Sequence, residues 1–197
     1  MVNVKPSNSK IRYVSNGISI KGVEVEPEDT FRFDCLRCGT CCSSPPGVNP
    51  KEASRIAQYL GMGKKDFFRQ YLTLHADDSY GWKAKVDKRG AECAFYSKEK
   101  GKASCKIDAV KPRQCRSKPI SRIGSKLGDG LHGMELILEP CRGFGRGSET
   151  TVREWVRKNR LEEAWKEEIG YVYKFMMMGL GMPARQLKEK IEELYTE

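Results

Sequence analysis

Hydrophobic and polar positions alternate near the start of the chain. Ile11-Arg12-Tyr13-Val14 and Ile18-Ser19-Ile20 flank Ser15-Asn16-Gly17, and Asn-Gly between alternating β-formers predicts a hairpin. Val23 and Val25 extend it toward Pro27, and Phe31-Arg32-Phe33 alternates into a cysteine-rich stretch. The period then changes. Asn49 and Pro50 supply an N-cap and a first-turn proline, and Ala53, Ile56, Ala57 and Leu60 follow at helical spacing up to Gly61. A second helix is predicted over 64–72, with Phe67, Phe68 and Tyr71 as its apolar face.

Alternation returns at Trp82-Lys83-Ala84-Lys85-Val86, a strand with a lysine face. Short hairpin strands are expected at 94–96 and 104–107 around a turn at 98–102, and Met134 to Leu138 reads as a core strand. Beyond Ser148 the chain is predicted to be helical and highly charged. Leu161, Trp165, Ile169, Val172 and Met176 form a stripe at steps of four and three, with a break expected near Asn159. Pro183 opens a last helix with Ala184, Leu187, Ile191 and Leu194 on one face. The pattern predicts an α+β fold, mainly helical with a small irregular β portion, in a single domain. Its parts are a tail and hairpin (1–30), a cysteine-rich region (31–147) and C-terminal helices (148–197) packed on that region.

Composition adds the compartment. A chain of 197 residues is long enough to bury a core without staples, and its eight cysteines are far below the density of a disulfide scaffold. Residues 1–10 are polar and lack the apolar region of a secretory signal. The longest apolar run, Tyr171 to Met182, is interrupted by Lys174 and falls short of the ~20 residues that span a bilayer. A cytoplasmic protein without a membrane segment is expected, where thiols serve as ligands or catalysts rather than cystines. The formal charge of +10 raises nucleic-acid binding, but metal-bound thiolates would offset much of that excess. Nucleic acid is therefore not the favoured partner, and a protein partner is expected.

The chemistry lies in Cys35-Leu36-Arg37-Cys38-Gly39-Thr40-Cys41-Cys42, with Cys93, Cys105, Cys115 and Cys141 downstream. Cys35-x2-Cys38-x2-Cys41 lets three thiolates of one loop converge, which is the first part of a bacterial ferredoxin pattern for a 4Fe-4S cluster. Zinc instead uses paired Cys-x2-Cys knuckles, so iron is favoured and zinc is the alternative. Cys41 and Cys42 are vicinal and expected to diverge, one toward a cluster and its neighbour elsewhere. Eight cysteines match two tetrathiolate centres or one polynuclear site, and all eight are candidate ligands. Lys111, Arg113, Arg116 and Lys118 surround Cys115 and are candidate contacts for an anion or partner, or for charge balance at the centre. His75 and His132, the two histidines, are expected to be ordinary surface or core residues.

These motifs carry a resemblance. Phe33-x-Cys35-x2-Cys38-Gly39-x-Cys41-Cys42, then Cys93-x-Phe95, Cys105-x-Ile107 and Pro112-x2-Cys115-Arg116-x2-Pro119, resemble in order the YkgJ-type family, the CxxCxxCC zinc- or iron-chelating domain. The resemblance covers about residues 31–145. Lys111 stands where the family usually has arginine, and Lys118 where it has an aromatic residue. It implies a metal site, and the family includes proteins similar to flagellin lysine methylases. Cys141-Arg142-Gly143-Phe144-Gly145-Arg146-Gly147-Ser148 reads as a glycine-rich turn from strand to helix. Such a turn can cradle phosphate, but it lacks the dinucleotide and P-loop patterns, and the family's Cys-x-Gly ligand loop explains it more simply. The leading expectation is an iron–sulfur protein in redox, electron-transfer or accessory roles. The alternatives are a structural zinc adaptor, possible on RNA, and a protein-lysine methyltransferase.

Overall fold

The structure, a computed structural model, describes residues 11–15, 19–42, 45–77, 81–86, 93–125, 134–138 and 141–197. In chain order the strands begin with β1 (Ile11–Ser15), β2 (Ser19–Val25), β3 (Thr30–Phe33) and β4 (Gly47–Val48). Helices α1 (Pro50–Tyr59) and α2 (Lys64–Tyr71) follow, then β5 (Leu72–Asp77), β6 (Gly81–Val86), β7 (Tyr96–Glu99) and β8 (Lys102–Cys105). After a 3-10 turn at Asp108–Val110 come α3 (Arg113–Arg116), β9 (Ile120–Ser125), β10 (Met134–Leu138) and β11 (Phe144–Thr151). The chain closes with α4 (Val152–Lys158), α5 (Leu161–Gly179) and α6 (Ala184–Thr196). The fold is α+β, and the strand pairs of the described residues are antiparallel. Its β portion is larger than the sequence pattern predicts.

Two compact units make up the chain. The first comprises 1–38 and 116–163, the second 39–115 and 164–197. In the first unit a four-stranded sheet has the order β1-β2-β10-β9, and β11 pairs with β3. The predicted hairpin is formed by β1 and β2, with Ser15 opposite Ser19; its Asn16-Gly17 turn lies outside the described residues. Phe31 and Phe33, which alternation placed in a strand, meet Phe144 and Trp155 edge-on at centroid distances of 5.5–6.5 Å. Four rings in T-shaped contact add directional stability to their area burial.

The glycine-rich segment is a correction. It does not turn into a helix at Ser148 but runs on as β11, whose register shifts between Phe144 and Glu149. Gly145 and Gly147 have φ near +78° and +77°, conformations that glycine adopts without a steric cost. The helix starts only at Val152. Thr151 accepts from the Glu154 N–H, and the Glu154 carboxylate accepts from the Thr151 N–H. The next two N–H groups, of Val152 and Arg153, donate to Asp29 and Pro27 carbonyls at 2.9 and 2.8 Å. With its first-turn donors satisfied by protein, this terminus is not a phosphate cradle.

In the second unit α1, α2 and α6 enclose a core of Ile56, Phe67, Val86, Phe95, Ile107, Leu187 and Ile191. Phe67 stacks on Phe95 with planes 7° apart, and Tyr71 approaches Phe95 at 4.8 Å. Tyr195 of α6 donates from its hydroxyl to the Val48 carbonyl at 2.7 Å. Strands order as β4-β6-β5, with β7-β8 separate. The β7-β8 hairpin turns on Lys100 and Gly101, whose φ values are both positive (48° and 81°), as a two-residue turn of matching twist requires. The expected break before α5 falls where predicted, with Asn159 as the C-cap of α4. The expected stripe of α5 is kept only in part. Leu161 and Trp165 are buried and Phe175, outside that stripe, is buried too, whereas Ile169 and Met176 are 38% and 51% exposed.

Candidate metal centre

Within the second unit, five cysteines come into one neighbourhood by three local devices. The first is the turn at Gly39, with φ +85°, closed by the Cys42 N–H donating to the Gly39 carbonyl at 3.0 Å. A Cβ on Gly39 would stand 2.7 Å from the Tyr96 hydroxyl, so this turn packs against β7. The second device is the β7-β8 hairpin. It sets Tyr96 opposite Cys105, while the Tyr96 N–H donates to the Cys93 carbonyl at 3.0 Å. Cys93 and Cys105, both half-buried, pack on the unit's core. The third is α3, which carries Cys115 and starts where the Cys115 N–H donates to the Pro112 carbonyl at 3.0 Å.

Electrostatics connect the five thiols. Burial pushes the Cys115 thiol up to about 12, and the neighbouring Cys93, Cys105 and Cys41 add to the shift while Lys111 opposes it. Cys42 is raised far above the ordinary thiol value, first by a hydrogen bond with Cys41, then by burial and by Cys41 and Cys115. Cys93 is raised mainly by burial, with Cys105 contributing. The vicinal pair therefore does not diverge as alternation predicts. Both members lie within the electrostatic reach of Cys115, and the Gly39 turn replaces an extended segment there. Lys111 lies in the field of Cys105 and Cys42. Burial disfavours its ammonium, but its ion pair with Asp108 and the thiol charges prevail and raise its pKa.

This donor set fits a thiolate-binding metal. Cys42, Cys93 and Cys115 resist deprotonation by themselves, and a bound cation supplies the charge that makes several thiolates compatible. Five thiols exceed the four that one tetrahedral ion takes. Among the described residues, no three His, Cys, Asp or Glu side chains are arranged to hold a metal ion as they stand.

The first unit holds the other three cysteines. Cys35 is exposed and Cys38 and Cys141 are half-buried. Phe33 pairs with Phe144, and the Asp34 N–H donates to the Gly143 carbonyl at 3.1 Å. The Cys35 and Cys141 segments thus start from one β-ladder. Gly143 is where they touch: a Cβ there would fall 2.3 Å from the Asp34 carbonyl oxygen. The Cys141 sulfur accepts from the Gly143 N–H at 3.5 Å.

The basic residues around Cys115 have partners of their own. Lys111 pairs with Asp108, and Arg113 with Glu168. Arg116 donates to the Asn159 carbonyl at 2.9 Å, and half-buried Lys118 is likewise engaged. His75 lies half-buried in β5, and His132 is outside the described residues. Glu52, Tyr96, Asp108, Gln114 and Glu168 were not singled out by the sequence. Only Glu52 had a signal there, as the third residue of a capping box after Asn49.

The fold and thiol set define a cysteine-rich metal-binding α+β protein. The chain belongs to the CxxCxxCC family, described as "Putative zinc- or iron-chelating domain", which matches residues 34–142. It is similar to the uncharacterized protein MJ0661 of Methanocaldococcus jannaschii, with 25% identity over 166 residues, 84% of this chain and 81% of that protein. No solved structure matches the chain. Among the described residues no helix is long and apolar enough to cross a membrane.

Proposed function

We propose that this chain is a cytoplasmic iron–sulfur protein that serves electron transfer, redox sensing or a cluster-dependent accessory role for a protein partner. The observation that carries the reading is the gathering of Cys41, Cys42, Cys93, Cys105 and Cys115 in one unit. A group of five thiols suits a polynuclear centre better than one tetrahedral ion. Cys35, Cys38 and Cys141 stay candidate ligands within the first unit. Bound iron and sulfide would supply one-electron chemistry. The chain's own residues present thiolates, keep part of the site from water and set the surrounding charge through Lys111 and Asp108. Uptake draws the thiols together, so binding free energy is also folding free energy.

Zinc is the second reading, favoured by the family description, which admits either metal. On that reading the chain is a structural adaptor. An RNA role draws on the +10 charge, but Lys111 and Arg113 are ion-paired, which weakens that surface as a phosphate site. A lysine methyltransferase role loses the glycine-rich turn as a cofactor cradle, since that segment is β11.

Cysteine replacement under anaerobic purification tests the ligand set. Cys105→Ser and Cys115→Ser should each lose most bound metal and the associated visible absorption. Full metal content and an unchanged spectrum in both variants would contradict the proposal.

A further inference from the structure

Cys115 sits on a helix of only four residues, and one turn has no stability of its own. Its position is set from outside, chiefly by α1. Arg55 donates from Nη2 to the Lys111 carbonyl at 3.3 Å. Glu52 Oε1 accepts from the Arg113 N–H at 2.5 Å, and the Gly47 N–H donates to Gln114 Oε1 at 2.7 Å. The Arg113 guanidinium pairs with Glu168 of α5. Residues 111, 113 and 114 are thereby each anchored, immediately before the thiol.

Glu52 is the unusual member. It is 5% exposed, and a buried carboxylate is costly unless hydrogen bonds satisfy it. Its Oε2 accepts from the Asn49 N–H at 3.2 Å, completing the capping box of α1. Capping needs only that oxygen. The other reaches a backbone N–H 61 residues away, two positions before Cys115. Charge-assisted bonds of this kind are stronger and more directional than neutral ones.

We infer that Glu52 is a positioning residue for the metal centre: through the Arg113 backbone, and with Gln114 as second anchor, it holds in place the single helical turn that carries the Cys115 thiol. The inference rests on the reading that these thiols hold metal. Partners that orient a ligand typically govern metal affinity by about 10–100-fold. The same arrangement explains why Arg113 and Gln114 are not free to recognise an anion.

The test uses the full chain and cobalt(II) in the absence of air, because thiolate ligation gives cobalt a sulfur-to-metal charge-transfer band. Glu52→Gln should weaken cobalt binding about tenfold and lower charge-transfer intensity per bound cobalt by about a quarter, the share of one thiolate in four. Gln114→Ala should act in the same direction and keeps the test available if the first variant folds poorly. The deciding comparison is with Cys115→Ser. If Glu52 acts through Cys115, the double variant binds cobalt no more weakly than Cys115→Ser alone, because coupled residues are non-additive. Leu187→Ala, a core change in α6, should lower thermal stability while leaving intensity per bound cobalt unchanged. Additive losses in the double variant, or unchanged cobalt spectra in both Glu52→Gln and Gln114→Ala, would overturn the inference. Wild-type protein that takes up no cobalt through thiolate would instead remove the metal reading, and this inference with it.

Discussion

Gly143 and Gly39 show how single residues shape the cysteine loops. At Gly143 a side chain would meet backbone, since the Asp34 carbonyl oxygen stands 2.3 Å from the position of a Cβ. Backbone cannot move aside as a flexible side-chain tip can, so Gly143→Ala must pry Asp34 away from the ladder. Overpacking of this kind costs about 1–3 kcal/mol, and chemical denaturation should show a loss in that range. A variant as stable as the wild type would mean that the Cys35 and Cys141 segments are not in contact. Gly39 combines a positive φ with contact to the Tyr96 ring. Both glycines are visible in the sequence, and a tight turn at Gly39, between Cys38 and Cys41, is legible from residue type alone. The contact that requires Gly143 was not, because it depends on β3 meeting β11 across more than a hundred residues.

Elements with strong local signals were legible. Asn49 and Pro50 begin α1, and Pro183 precedes Ala184 at the start of α6, where capping or proline chemistry acts within a few residues; α2 begins at Lys64 behind Gly63, with no side-chain cap. Strands β5, β9 and β11 were not legible. Their formation depends on partners, and Phe-Gly-Arg-Gly-Ser in β11 carries neither alternation nor β-branched residues. The capping box that follows β11 gives an element-scale prediction. The Thr151 N–H and Thr150 hydroxyl hold the Glu154 carboxyl below its ordinary pKa. A depressed carboxylate contributes stability above its unfolded value, and that contribution fades as pH falls through the folded one. Protection factors in the first turn of α4, with the intrinsic pH dependence of amide exchange divided out, should therefore fall below about pH 4.5, and Glu154→Gln should flatten that response. Equal protection at pH 6 and pH 3 in the wild type would contradict it.

At the scale of the molecule, the candidate site was legible as a set of residues and not as an arrangement. The sequence offers all eight cysteines as candidate ligands, yet spacing alone cannot say which are neighbours. The structure gathers Cys41 and Cys42 with Cys93, Cys105 and Cys115 in the second unit and leaves Cys35, Cys38 and Cys141 in the first. The reason is that the hairpin, the Gly39 turn and α1 each have a local signature, but which cysteines they bring near one another depends on tertiary contacts that no local signature encodes. Charge follows the same logic. The formal +10 counts every cysteine as neutral, and a centre ligated by several thiolates brings negative charge beside Lys111.

The central claim is that these thiols bind an iron–sulfur cluster, and the direct measurement is metal and labile-sulfide analysis of protein purified without air. The account predicts iron and labile sulfide in comparable molar amounts, with a brown colour that bleaches on exposure to oxygen. A colourless protein with stoichiometric zinc and no labile sulfide would contradict it.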